Sequence, residues 1–226
     1  MAKIPIFVSS DRYPFVNEKI IDFEWHKELA IIQKKKSIKS LHTAALEQFK
    51  DLTLLEISTK SDNPLGVQLG AFISITKQKK STLEKMFYAA KIFKHGVQLK
   101  VLLFMPARQA RSDIRLKKRS ALIRFISNGK TWPSIPKTIF YDYQYLDTIK
   151  QNPSLSADLI NYNAFTDIEF NPKKSFNYQA ISAALYVSLV KIEKLEECMS
   201  GSDSFISLLG KVSSEPIEPT QSNLFG

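Results

Sequence analysis

Cysteine is almost missing from this 226-residue sequence, and the single thiol, Cys198, cannot close a disulfide within the chain. A reducing, cytoplasmic setting is the expectation that follows. Histidine is scarce too: His26, His42 and His95 stand far apart with no cysteine pair beside them, so no zinc-ligand spacing exists and no metal is expected. Glycine occurs seven times, never in the GxGxxG or GxxxxGK(S/T) arrangement that lets a backbone approach phosphates. That argues against a Rossmann or P-loop nucleotide site, and no cofactor is expected. There is no GxSxG elbow and no internal repeat, which removes the α/β-hydrolase and solenoid readings. No apolar run approaches the roughly 20 residues that cross a bilayer, so a soluble protein without a membrane partner is expected. The opening MAKIPIFVSSDRYPFV is interrupted at Pro5, Ser9, Ser10 and Asp11 before it reaches the length of a secretory core, and it reads as a first strand.

Positive charge, by contrast, is in excess, at a formal +10. Basic residues gather at Lys34, Lys35, Lys36 and Lys39, at Lys77, Lys79 and Lys80, at Lys117, Lys118 and Arg119, and at Lys173 and Lys174. Such clusters attract phosphate, from a nucleic-acid backbone or from a diphosphate, and they equally suit a solvated surface. With 44% hydrophobic residues the chain can bury a large core; one domain over 1–212 and a flexible tail over 213–226 are expected.

Apolar periodicity sketches more helix than strand. Alternation over 20–25 suits a strand, and 27–49 suits a long helix with Leu29, Ile32, Ile38, Leu41, Ala45 and Phe49 inward. Further strands are expected over 52–58, 69–76 and 121–127, the last ending at the turn Asn128-Gly129. Further helices are expected over 81–93, 106–115, 138–149, 154–162 and 178–195.

Two places concentrate chemistry. The helix over 81–93 carries Glu84, Phe87 and Lys91 at i, i+3 and i+7, which sets an acid, a ring and an amine on one face. Leu83, Met86 and Ala90 bury the same helix, so Lys91 borders apolar surface, where desolvation favours the neutral, nucleophilic amine. A solvated salt bridge has the same spacing. The second place is FTDIEFNPKKSFN, with Asp167, Glu169 and Asn171 directly ahead of an apolar helix whose free amides can meet an anion. A capped helix entrance with exposed acids reads the same way.

Taken in order, these residues resemble a known family. LGAF at 69–72, ExxFxxxK from Glu84 to Lys91 and ARxxxR from Ala110 to Arg115 resemble the pattern of the NADAR family. FEWHKELAIIQKKKSIKSLH, LEISTKS, WPSIPKTIFYD and FTDIEFNPKKSFNYQA resemble the branch encoded beside DarT-type toxins, whose members act as antitoxins. The likeness spans 20–195. It implies an α+β, mainly helical single domain with a small β-sheet, the NADAR (YbiA-like) fold. It also implies an N-glycosidase that removes ADP-ribose from guanine bases in DNA or RNA, as antitoxin or repair enzyme against a DarT-type ADP-ribosyltransferase. Glu84 and Lys91 match the family's acid and lysine, and Arg111 and Arg115 match a basic pair suited to a diphosphate. Three positions depart from the pattern. Tyr88 stands where many members have Gln, Gly70-Ala71 replaces Ser-Asn ahead of Phe72, and Arg111 replaces Lys, which keeps charge and favours bidentate phosphate contact.

That chemistry suits the residue types. Breaking a bond between ribose C1 and a base nitrogen builds positive charge on the sugar and negative charge on the base, so it needs a proton donor and a carboxylate. Glu84 and Asp167 are the candidates. Lys91 adds a third catalytic group, able to capture an opened ribose as a Schiff base, with direct water attack as the alternative. Phe72, Phe87 and Trp132 can stack a purine, although aromatic residues at such positions more often belong to a core. Arg111, Arg115, Glu169 and Asn171 complete the expected substrate contacts. A different class of function is a non-catalytic basic adaptor for nucleic acid or a toxin. The tail residues Gln221, Leu224 and Phe225 resemble the QxxLF peptide that docks on bacterial sliding clamps and would tether it.

Overall fold

Alternating side chains in AKIPIFVS, turned back on VNEKIIDF, give the chain its opening hairpin: β1 (Ala2–Ser9) pairs antiparallel with β2 (Val16–Phe23), in register from Ala2↔Phe23 to Ser9↔Val16. The computed structural model describes residues 1–27, 30–70, 81–117, 121–169 and 179–209. After the hairpin come α1 (Ile31–Gln48), β3 (Leu54–Glu56) and α2 (Pro64–Gln68), whose start is capped by the Asn63 side chain accepting from Leu65 N. Next are α3 (Leu83–Ala89), β4 (Lys91–Phe93), two short 3-10 turns, α4 (Ala107–Ser112) and α5 (Ile114–Lys117). The hairpin β5 (Leu122–Ser127) and β6 (Lys130–Pro133) turns at Asn128-Gly129, both with positive φ, which Gly and Asn tolerate best. Then follow α6 (Lys137–Lys150), α7 (Pro153–Leu159), β7 (Ala164–Thr166), α8 (Gln179–Lys191), α9 (Leu195–Met199) and α10 (Ser202–Leu209).

The result is a mixed α/β architecture, with two small sheets where one was expected. One sheet has the order β2-β1-β7-β3 and the other β4-β5-β6. In the first, neighbouring residues of β1 are buried on opposite faces: Ile6 packs with Ile38, Leu41 and Ala45 of α1, and Phe7 belongs to the cluster built around α8. Helices therefore cover both faces. Pro5 has no N–H to give, and it lies where β7 does not reach, since β7 meets β1 only at Phe7 and Val8. Ala180 and the run from Ser182 to Leu189 are all buried, so α8 is the central helix of the core. A ring cluster of Phe87, Phe125, Phe140 and Trp132 joins the second sheet to α6.

Several expected boundaries move. The first helix starts at Ile31, leaving Ile32 68% exposed rather than inward. The last long helix breaks after Lys191: Glu193 takes a positive φ, Lys194 N donates to Leu189 O, and α9 begins a new direction. The strand expected over 69–76 falls almost wholly outside the described residues, and Leu69 caps α2 instead.

Gly66, inside α2, marks how closely that helix presses on β3. A Cβ there would come 1.9 Å from the Glu56 backbone oxygen and 2.6 Å from Ser61 Oγ. Backbone cannot yield as a flexible side chain does, so Gly66→Ala is expected to cost ~1–3 kcal/mol. Thermal unfolding checks it: a melting temperature equal to that of the parent protein would mean α2 does not rest on Glu56.

Candidate active site

The acid, ring and amine reach one place by a route that differs from a single helical face. Helix α3 stops at Ala89, Ala90 N donates to Met86 O as the cap, and Lys91 opens β4. Pairing with β5 wins over helical periodicity here, because Lys91↔Phe125 and the bond from Ile126 N to Ala90 O bury Ile92 and Phe93. Lys91 nevertheless folds back over the helix. Its Nζ lies 5.0 Å from the Phe87 ring centroid and 4.6 Å from that of Tyr88, within cation–π range.

Glu84 belongs to the first turn of α3 and is largely removed from water. Desolvation raises its carboxyl above the usual range; Arg111 and, less strongly, Lys91 pull it back only in part. Among the described residues its Oε2 is buried without a hydrogen-bond partner, as are the hydroxyls of Ser81 and Thr82 just before it. Unsatisfied buried oxygens cost about 1–3 kcal/mol each, so this helix start presents unmet hydrogen-bonding capacity.

Asp167 is 8% exposed and lies in the turn after β7, where it accepts from Glu169 N at 3.0 Å. What joins it to Glu84 is a residue that periodicity placed merely within a tyrosine-rich helix. The Tyr141 hydroxyl on α6 is pushed well above its usual range by burial first, then by the charges of Tyr145, Glu84, Asp142 and Asp167. One buried phenol thus feels all three carboxylates. Its ring meets Phe87 edge-on at 5.5 Å and stacks on Tyr145 at 6.3 Å, while the Tyr145 hydroxyl donates to Leu69 O. The sequence signal was the spacing of Tyr141 and Tyr145, four apart on one helix face. Asp142 had no such signal. It accepts from Ser182 Oγ at 2.6 Å, and burial pushes its carboxyl up to about 7 against that bond.

The expected basic pair divides. Arg111 acts on Glu84 and Tyr88. Arg115 instead turns to Asp113, with Nε to Oδ1 at 2.9 Å and Nη2 to Oδ2 at 2.7 Å, and this holds the Asp113 carboxyl down at about 2. The cause is local: Asp113 is extended and separates α4 from α5, so Arg111 and Arg115 do not share a helix. Trp132 is likewise not a stacking surface. At 1% exposure it is packed by Phe140, Tyr143 and Phe205 and belongs to the core. Phe87 is only partly buried and borders Lys91. Glu169 takes Lys34 Nζ at 2.9 Å and Thr59 Oγ1 at 2.8 Å, with Lys60 Nζ at 3.8 Å. Burial opposes its ionisation, but these partners hold its carboxyl below the usual value. Phe72, Asn171, Gln221, Leu224 and Phe225, with Lys77, Lys79, Lys80, Lys118, Arg119, Lys173 and Lys174, lie outside the described residues. No group of three metal-binding side chains comes together among the described residues, and no described helix is long and apolar enough to cross a membrane.

This mixed α/β fold thus brings Glu84, Lys91 and Arg111 within electrostatic reach of one another beside the rings of Phe87, Tyr88 and Tyr141. Residues 2–218 match the DarT1-associated NADAR antitoxin family, and the chain belongs to it. The role this supports is that of an antitoxin associated with a DarT toxin. No curated protein matches the chain.

Asp142 gives the site a measurable titration. Its folded-state value stands above the ordinary 3.8, so stability is greatest while it is protonated and is lost as pH rises through about 7. Asp142→Asn keeps an acceptor for Ser182 and removes the charge. Urea unfolding should show the variant matching the parent below pH about 4 and exceeding it at pH about 8; equal stability at the higher pH would contradict a buried, high-pKa carboxyl.

Proposed function

We propose that this antitoxin is an N-glycosidase that removes ADP-ribose from guanine in nucleic acid, reversing a DarT-type ADP-ribosyltransferase. The observation that carries the reading is Glu84: a largely enclosed carboxyl with a raised pKa, whose buried Oε2 has no hydrogen-bond partner among the described residues and which both Arg111 and Lys91 act on. A carboxyl whose pKa is raised by burial holds its proton more tightly and can donate it to a leaving base, which is what cleavage of the C1–N bond demands.

In this reading protonated Glu84 gives its proton to guanine as the C1–N bond breaks, and the ribose ring oxygen shares the positive charge left on C1. The neutral Lys91 amine then bonds to C1, one of its N–H protons passes to the ring oxygen as the ring opens to an iminium, and water directed by Asp167 hydrolyses that to free ADP-ribose and the amine, the proton released returning to Glu84. The faces of Phe87 and Tyr88 stabilise the positive charge that this nitrogen carries as the iminium. Arg111 holds the diphosphate and Glu169 the sugar end, with Phe72 and Asn171 as further contacts. Lys34 of α1 and Lys60 both reach Glu169, so the Asp167 turn lies beside the lysine-rich start of α1, where Lys36 and Lys39 are exposed and flanking phosphates of a strand would lie.

Borohydride tests the covalent step. With ADP-ribosylated guanosine as substrate, the parent protein should be trapped as a reduced adduct at Lys91, whereas Lys91→Ala gives none and Glu84→Gln lowers kcat by ~10²–10⁴-fold. Turnover without an adduct would select direct water attack. If folded Lys91→Ala and Glu84→Gln proteins still rescue cells from the toxin, neutralisation is by binding and the enzymatic reading fails.

Ionic strength tests the strand. Binding of a modified oligonucleotide should weaken steeply with salt, while hydrolysis of ADP-ribosyl guanosine changes little. Equal responses would remove the α1 edge from substrate binding.

A further inference from the structure

We propose that Glu56 is a positioning residue for Asp167, its two carboxylate oxygens fastening the chain on either side of that aspartate. The inference rests on the reading of Asp167 as a catalytic group. Glu56 ends β3 opposite Thr166 in the parallel ladder with β7 and is 3% exposed. Thr166 Oγ1 donates to Oε2 at 2.5 Å, and Ile168 N donates to Oε1 at 2.9 Å. The residues immediately before and after Asp167 are therefore bound to one buried carboxylate. Beside it, Ile57 N donates to Thr166 O at 2.8 Å, and the Ser58 side chain bonds to Glu56 as well. Asp167 itself takes Glu169 N, so the turn is fixed at every residue from Thr166 to Glu169.

His42 on α1 completes the arrangement. Its Nε2 lies 2.9 Å from Thr166 Oγ1, and the one hydroxyl proton of Thr166 points to Glu56, so His42 must donate from Nε2. Burial, which lowers the imidazole to about 4, keeps it in the neutral form that suits this. The chain His42 to Thr166 to Glu56 thus runs one way, from donor to acceptor, and ends on the oxygen pair that holds the turn. Burial raises the Glu56 carboxyl above its usual range, and the bonds from Thr166, Ser58 and Ile168 N pull it back towards the charged form. Two diverging donors need two acceptor oxygens. Glutamine supplies one and brings an N–H towards the other, which would displace either Thr166 or Ile168 and shift Asp167 with it.

The test compares Glu56→Gln, Thr166→Val and Thr166→Ser in the full chain, measuring release of ADP-ribose from ADP-ribosylated guanosine alongside thermal unfolding. Misplacing a reacting group by a fraction of an ångström is expected to lower kcat by about 10–100-fold, with KM nearly unchanged, in both Glu56→Gln and Thr166→Val. Thr166→Ser, which restores the hydroxyl, should recover kcat to within about threefold of the parent, the residual loss reflecting the missing methyl contact. A folded Glu56→Gln protein with full kcat overturns the inference while leaving the glycosidase reading intact. So does a loss in Thr166→Ser as deep as in Thr166→Val, or a change confined to KM. If Glu56→Gln does not fold, the Thr166 pair decides, and failure of Thr166→Val to fold as well shows a purely structural role. An inactive parent protein overturns both readings together.

Discussion

A three-residue strand, β7, is held from both sides: β1 pairs with it antiparallel through Phe7↔Phe165, and β3 parallel through Leu55↔Phe165. Ala164, Phe165 and Thr166 are each 0% exposed. Parallel neighbours cannot be joined by a tight turn, so the chain between β3 and β7 has to leave the sheet and return. Here the crossover contains α2 through α7 and the whole second sheet, including Glu84, Lys91, Arg111 and Tyr141. Asp167 comes directly after the returning strand. The two halves of the site are thus the inside of a long connection and the point where it closes, which is why residues so distant in sequence act on the same Tyr141 hydroxyl.

This topology sets what a linear reading can reach. Helices α1, α6 and α8 were legible because their apolar patterns are local, and the Asn128-Gly129 turn was legible because its backbone requirement is local too. The helix over 81–93 was overextended for the same reason in reverse. Lys91 does fall at i+7 from Glu84, but its partner Phe125 is supplied by a distant strand, and a ladder formed across the chain overrides periodicity within it. The basic pair that the family resemblance gave as Arg111 and Arg115 divides at Asp113, whose carboxylate captures the second arginine. Glu56 and Asp142 carried no legible signal. Each looks like any surface acid, and only the fold shows which acids are taken out of water.

The distribution of charge follows a division that a net +10 alone does not convey. Among the described residues, the most enclosed charged side chains are acids, with Glu56 3% and Asp167 8% exposed, and no lysine or arginine is as deeply placed. Ammonium and guanidinium groups remain at the rim, where Lys34 and Lys60 meet Glu169 and Arg111 is exposed. Long basic side chains keep their charge hydrated at little cost. Short acids on rigid elements cannot, and burial raises the carboxyls of Glu56 and Glu84 above the usual range. Acids inside and cations at the edge are therefore consequences of side-chain length as much as of sequence position.

The balance at Glu84 shows how those two zones communicate. Desolvation drives its carboxyl up, Arg111 supplies the larger downward pull and Lys91 the smaller. Phe87, flanked by Phe125, Phe140 and Tyr141, closes the surroundings with rings rather than water, so charges there are weakly screened. Any anion drawn to Arg111 offsets the stronger of the two pulls and adds negative charge of its own. Both effects favour the protonated acid. In the proposed glycosidase, docking a phosphate at Arg111 and loading a proton at Glu84 would be coupled through that one guanidinium.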